Sequence, residues 1–128
     1  MRATFTIPGR FPSLNEYVDA ERTHRLAAAA MKRKYTDRVC QRAQECDVPS
    51  FREPVFIDIT WYEQNRRRDP DNVMFAAKFI LDGLVNAGVL ANDTQRHVLG
   101  IEHRVLVDRD RPRVQVTIYD PEGEFEND

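Results

Sequence analysis

Apolar residues recur at every second position in four short stretches of the chain and at every third or fourth position in two longer ones, and these two periods predict its elements. In "ATFTIP", Phe5 and Ile7 alternate with Thr4 and Thr6 until Pro8 closes a strand. From about Asp19 to Glu45 Gly and Pro are absent, and Met31, Tyr35, Val39 and Ala43 follow at steps of four. That spacing predicts one long amphipathic helix with a basic outer face carrying Arg25, Lys32 and Arg33. In "VFIDITWYE", Val55, Ile57, Ile59 and Trp61 share one face of a second strand, with Phe56, Asp58, Thr60 and Tyr62 on the other. A second helix starts around Asp69 to Asn72, where Pro70 suits a first turn and Asp71 or Asn72 can cap it. Its apolar side holds Val73, Ala77, Ile80, Leu81, Leu84 and Ala87, and it ends near Gly88, a C-terminal cap. "HVLGIEHRVLV", bent at Gly100, and "RVQVTIY" are the last two strands, joined by the turn "DRDRP". The order β-α-β-α-β-β predicts an α/β (α+β) fold: a single small domain whose mixed sheet is packed by two helices.

Length agrees, since 128 residues suffice for one modest core and not for two. No apolar run approaches the roughly 18 residues of a membrane span, and "MRATFTIPGRF" lacks the apolar centre of a signal peptide. The expectation is therefore a cytoplasmic protein without a membrane partner. Cys40 and Cys46 have no zinc-site spacing and are expected to be buried free thiols, as suits a reducing compartment. His24, His97 and His103 also lack ligand spacing and are read as surface or strand residues. A net charge of −2 argues against nucleic acid as a partner, but the charge is unevenly placed. Five of the 21 acids fall in the last nine residues, "DPEGEFEND", leaving 16 against 19 bases, a net +3, in residues 1–119. The expected division is a mildly basic domain over 1–119 and an acidic, disordered tail over 120–128.

The chemistry concentrates around "RRRDPDN" at 66–72. Asp69 and Asp71 sit at a strand-to-helix junction, Asp82 lies in the following helix and Asp93 in the loop after it. Carboxylates drawn to one spot repel unless a cation neutralises them, and oxygen ligands with positions left for water are what Mg²⁺ prefers. At ~100° per residue, Lys78 and Asp82 return to within about 20° of Asp71, so the three are expected to line one helical stripe. Two readings stay open here. Asp and Asn cap helices, and Lys78 with Asp82 is an ordinary i, i+4 pair. Capping leaves Arg66, Arg67 and Arg68 unexplained, whereas phosphodiester chemistry uses them: arginines hold backbone phosphates while a metal held by acids activates water.

The segment "RRRDPDNVMFAAKFILDGLVNAGVLANDTQ" resembles the signature region of the RusA family of Holliday-junction resolvases, many of them encoded by phages and prophages. In that family a basic Arg-Asp-x-Asp-Asn segment leads into a helix with a lysine and a Leu-Asp-x-Leu element, then a Gly-Val turn and a loop ending in paired acids. "IPGRFPSLNEY" is similar to its Pro-x-x-x-Asn-x-Tyr element, with Asn15 and Tyr17 in place. The resemblance implies a homodimer that binds a four-way DNA junction and makes paired symmetric nicks. It implies Mg²⁺, with Mn²⁺ as a substitute, held by Asp69, Asp71 and Asp93, with Asp82 as a further candidate, and no organic cofactor. Asp69, Asp71, Lys78 and Asp93 would be the catalytic set, and Arg66, Arg67, Arg68, Arg96 and Asn15 the DNA contacts. Two departures mark this chain. The loop pair is Asn92-Asp93 where the family has Asp-Asp, and the family's lysine position, three residues after Asn72, is Phe75. Lys78 stands three residues further on, which turns a helix by about 300° and lengthens it by roughly 4.5 Å. These departures leave a rival class open: a branched-DNA-binding protein with weak or no catalysis.

Overall fold

The computed structural model describes residues 1–121. Its elements run β1 (Arg2–Pro8), α1 (Leu14–Thr23), α2 (Arg25–Glu45), β2 (Val55–Glu63), α3 (Pro70–Met74), α4 (Ala77–Asn86), β3 (Val98–Val107) and β4 (Arg113–Tyr119). The strands form one mixed sheet in the order β1-β4-β2-β3, with β4 antiparallel to β1 and β2, and β3 parallel to β2. This is the α+β domain that the alternation predicted, with every strand where the period-two pattern put it.

Both predicted helices are broken. The first splits at His24, whose backbone is extended at φ −168° and whose Nδ1 accepts the Leu26 N–H at 3.0 Å, so that a histidine caps α2. The second splits between Met74 and Ala77. There Ala76 N–H bonds to Val73 O, Lys78 N–H to Phe75 O and Phe79 N–H to Ala76 O, an i to i−3 pattern that winds the chain more tightly than an α-helix. Tighter winding advances the phase, and so Ala76 and Phe79 are buried along with Ile80 and Leu84. The C-terminus is as expected. Gly88 has φ +77°, its N–H bonds to Val85 O, and Val89 N–H returns to Leu84 O, which closes α4 in a Schellman turn.

One face of the sheet carries the core, where Ile7, Ile57, Ile59, Trp61, Val116 and Ile118 meet Val39 and Ala43 of α2 and Phe79, Ile80 and Leu84 of α4. The two helices cross at Gly83. A Cβ built there would lie 2.4 Å from Val39 Cβ and 2.9 Å from Thr36 O, a backbone atom that cannot swing away. Gly83→Ala is therefore expected to lose about 2 kcal/mol in a urea melt, overpacking outweighing roughly 1 kcal/mol of gained helix propensity. Trimming Val39 to Ala in the same chain removes the Cγ1 contact at 2.6 Å but keeps those with Val39 Cβ and Thr36 O, and so should not restore wild-type stability.

Trp61 is 1% exposed, and its indole N–H donates to His103 Nδ1 at 2.9 Å across the parallel β2–β3 pair. That bond requires a neutral ring protonated on Nε2. Burial lowers the His103 pKa below 6.5, so the unfolded chain takes up this proton first. Its contribution is complete above the unfolded value and falls as pH drops through that value toward the folded one. Wild type is expected to lose more stability than His103→Gln between pH 7.5 and 5, measured by urea melts at each pH.

Two sequence expectations change. Cys40 and Cys46 are free, but Cys40 is only half-buried and Cys46 is exposed, because it lies at the C-cap of α2 past the packed stripe of Val39 and Ala43. Asp120 belongs to the fold: it is buried, and its carboxylate lies 2.9 Å from the Met1 amino group. Residues 122–128 of the acidic tail lie outside the described residues. No helix among the described residues is long and apolar enough to cross a membrane.

Candidate active site

The loop from Gln64 to Asp69 leaves the end of β2 and enters α3, and its three arginines separate. Arg67 N–H bonds to Asn65 Oδ1 at 3.0 Å in a tight polar turn that leaves the side chains of Arg66 and Arg67 exposed. Arg68 turns inward. Its side chain is 13% exposed, and its guanidinium donates to Phe11 O at 2.8 Å, to Glu63 Oε1 at 3.4 Å and to Glu16 Oε1. Arg68 is thus not an open phosphate contact, as the sequence suggested, but the tie that joins this loop to β2, α1 and the Phe11 turn. Its partner was legible and missed: Glu63 continues the buried series Val55, Ile57, Ile59, Trp61, and a charge on that face needs a cation.

Asp69 and Asp71 are exposed. Asp69 occupies the N-cap position of α3, yet its side chain makes no capping bond, and Pro70 fills the first turn. No ion pair or hydrogen bond of either carboxylate is formed among the described residues. Capping therefore does not account for the acids. Asn72 joins two helices, since its Oδ1 accepts the Asn15 N–H at 3.0 Å, which ties α3 to α1 and holds exposed Asn15 beside the acid pair's helix.

Two clefts divide the remaining residues. Asn65, Arg66, Arg68, Asp69 and Pro70 line one together with Val105, Leu106 and Val107 at the end of β3. The other lies between α2 and α4 and is lined by Lys32, Arg33, Thr36, Asp82 and Asp93, among others. In it Asp82 lies 3.8 Å from Lys32, so its partner is on α2 and not Lys78. The Thr36 hydroxyl is buried there without a hydrogen-bond partner. Asn92 Oδ1 accepts the Asp93 N–H at 2.8 Å, which uses one of the two lone pairs of that oxygen. Lys78 is exposed on the first turn of α4, and Arg96 is exposed in the loop before β3. The break between α3 and α4 removes the continuous stripe on which Asp71, Lys78 and Asp82 were to stand.

Among the described residues no three His, Cys, Asp or Glu side chains come together as a metal-binding group. The three-acid set of Asp69, Asp71 and Asp93 is not assembled within the chain, since Asp69 and Asp93 line different clefts. The pair Asp69 and Asp71 nevertheless suits a hard cation. Mg²⁺ is commonly held by one or two carboxylates, with water and substrate phosphate oxygens completing its octahedron.

Residues 8–119 match the family described as Endodeoxyribonuclease RusA. The chain belongs to the RusA family. The match runs from the end of β1 to the end of β4 and so takes in β2, β3, β4, all the helices and both clefts. No curated protein matches the chain. Membership makes the Phe75 departure concrete. This RusA-family chain places a half-buried aromatic ring where the resemblance leads one to expect a lysine, 5.2 Å from the Tyr17 ring and 5.7 Å from that of Phe79. Phe75 and Ala76 are the residues at which α3 gives way to α4, which begins at Ala77, one residue before Lys78. Between Asn72 and Lys78 the chain therefore makes a turn and not a continuous helix.

Proposed function

We propose that this RusA-family protein is a Mg²⁺-dependent endodeoxyribonuclease, with Mn²⁺ as a substitute, that resolves four-way DNA junctions in the cytoplasm by paired symmetric nicks. The observation that carries the reading is the state of the acid pair: Asp69 and Asp71 are exposed, neither caps nor pairs among the described residues, and they stand where the loop of the exposed Arg66 and Arg67 enters α3. When bound, Mg²⁺ supplies a lowered pKa for its water and charge stabilisation at the phosphate. Asp69 and Asp71 would hold it, with Asp93 as a further candidate acid. Arg66 and Arg67 grip backbone phosphates on the approach to the acids, Arg96 does so from the far loop, and Asn15 is positioned through Asn72. Lys78 offers a flexible point charge to the phosphate. A junction presents equivalent strands, and a C2 homodimer presents equivalent sites to them, which accounts for paired nicks.

Wild type incubated with a synthetic mobile four-way junction is expected to give paired nicks with Mg²⁺, none with EDTA, and far fewer on linear duplex. The packed Phe75 and the separate cleft of Asp93 favour one other reading, a branched-DNA-binding protein with weak or no catalysis. Tight junction binding with no nicking in Mg²⁺ or Mn²⁺ would select that reading.

A further inference from the structure

The turn between β3 and β4, "DRDRP" at 108–112, reads in the sequence only as a connector. In the fold it is held from every side. Asp108 N–H donates to Glu63 O at 2.8 Å, which ties the turn to the last residue of β2. Asp108 Oδ1 accepts the N–H groups of Asp110 at 3.2 Å and Arg111 at 3.1 Å, so one side chain fixes the backbone of the turn. Its Oδ2 takes Arg113 Nη1 at 2.7 Å, and the same guanidinium donates to Arg111 O and lies 3.8 Å from the centre of the Tyr62 ring. Pro112 O accepts the Gly9 N–H at 2.9 Å, just past the end of β1.

These bonds sort the charges of the turn. Asp108 and Arg113 neutralise each other. The Arg113 guanidinium, and after it the Arg111 amide, hold the Asp108 carboxyl below its ordinary pKa, so it stays ionised and engaged. Arg109, Asp110 and Arg111 are exposed, and neither of these arginine side chains makes an ion pair or hydrogen bond among the described residues. Two cations against one carboxylate are thus left over, on backbone already ordered, which lowers the cost of binding a ligand. Their place says which ligand. Val105, Leu106 and Val107 line the cleft of Arg66 and Asp69, and Arg109 follows Val107 within about 7 Å of chain. Arg111 lines a second groove with Thr6, Pro8 and Pro112, so the turn stands between that groove and the cleft. Exposed arginines therefore reach this end of the sheet from two loops, Arg66 and Arg67 from one and Arg109 and Arg111 from the other. A ligand whose negative charges repeat along a line suits such an array, and a DNA strand carries one about every 3.4 Å of its axis.

We propose that the β3–β4 turn is a second phosphate grip, in which Arg109 and Arg111 hold the sugar-phosphate backbone of a DNA arm beside the strand presented to Asp69 and Asp71. This rests on the nuclease reading for its substrate and adds two binding residues to it. Asp110, between the two arginines, is the opposing charge that limits the grip.

Band shifts on a synthetic four-way junction, repeated over a series of NaCl concentrations, test the grip. Losing one phosphate contact flattens the fall of log K with log salt by about 0.9. The double variant Arg109→Gln with Arg111→Gln is therefore expected to lose roughly 1.8 of that slope and to bind about tenfold or more weakly in about 0.1 M salt. Arg109→Lys with Arg111→Lys keeps both charges and should keep the slope, and Asp110→Asn should bind more tightly than wild type. A glutamine double variant with the wild-type slope would overturn the grip. So would a loss confined to junctions of one sequence, because phosphate contacts carry no sequence information. Nicking in Mg²⁺ on the same samples separates the claims. An unchanged slope in a protein that nicks overturns the grip alone, and a slope that falls in a protein that never nicks overturns the nuclease reading alone.

Discussion

Arg68→Ala is expected to lower the stability of the folded chain by about 3 kcal/mol or more, which for a domain of this size is a fall in Tm of roughly 10 °C. The effect is large because the substitution removes three bonds and leaves a charge behind. Glu63, with its side chain 7% exposed, would keep a carboxylate against the core without its cation, and Phe11 O would lose its donor. The loop that carries Arg66, Arg67 and Asp69 would also lose the anchor that fixes it to β2. Changing both partners to apolar residues, Arg68→Met with Glu63→Leu, should recover most of the loss, since a well-packed apolar pair replaces a buried ion pair at little cost. A urea melt of the three chains distinguishes the roles. If Arg68→Ala melts like wild type and instead loses junction affinity, Arg68 is a phosphate contact and the anchoring role is wrong.

Arg68 also shows where the sequence could and could not be read. "RRR" presents three identical side chains, and nothing local says which one turns inward. The answer lay in Glu63, the last of the core-facing series Val55, Ile57, Ile59, Trp61 and Glu63, but a charge at the end of a strand reads as a terminus until the strand's neighbours are known. The strands were legible because alternation of side chains is a local property with a period that no distant contact alters. The helices were legible as stretches but not as units. His24 and the Phe75–Ala76 turn are breaks without glycine or proline, set by what the segments pack against, and propensity carries no sign of them. For the same reason the acids were found and their grouping was not: Asp69, Asp71, Asp82 and Asp93 are visible one by one, but a helix phase extrapolated through a break misplaces all that follows it.

Asp71→Asn carries the largest expected effect on activity. The amide keeps the size of the side chain and one oxygen but removes the charge that a hard cation needs, while Arg66, Arg67 and Arg96 are left in place to bind DNA. Losing a metal's contribution removes several kcal/mol of transition-state stabilisation, about 10²-fold to 10⁴-fold in rate. Because the Asp71 side chain is exposed and makes no hydrogen bond or ion pair among the described residues, the melting curve of the variant without metal should match that of wild type. The most direct test of the nuclease reading is therefore one paired measurement on a synthetic four-way junction in Mg²⁺: binding by band shift and nicking by strand-resolved electrophoresis, wild type against Asp71→Asn. Wild type is expected to bind and nick, whereas Asp71→Asn binds with similar affinity and nicks at least about a hundredfold more slowly. Nicking by Asp71→Asn at the wild-type rate would contradict that reading.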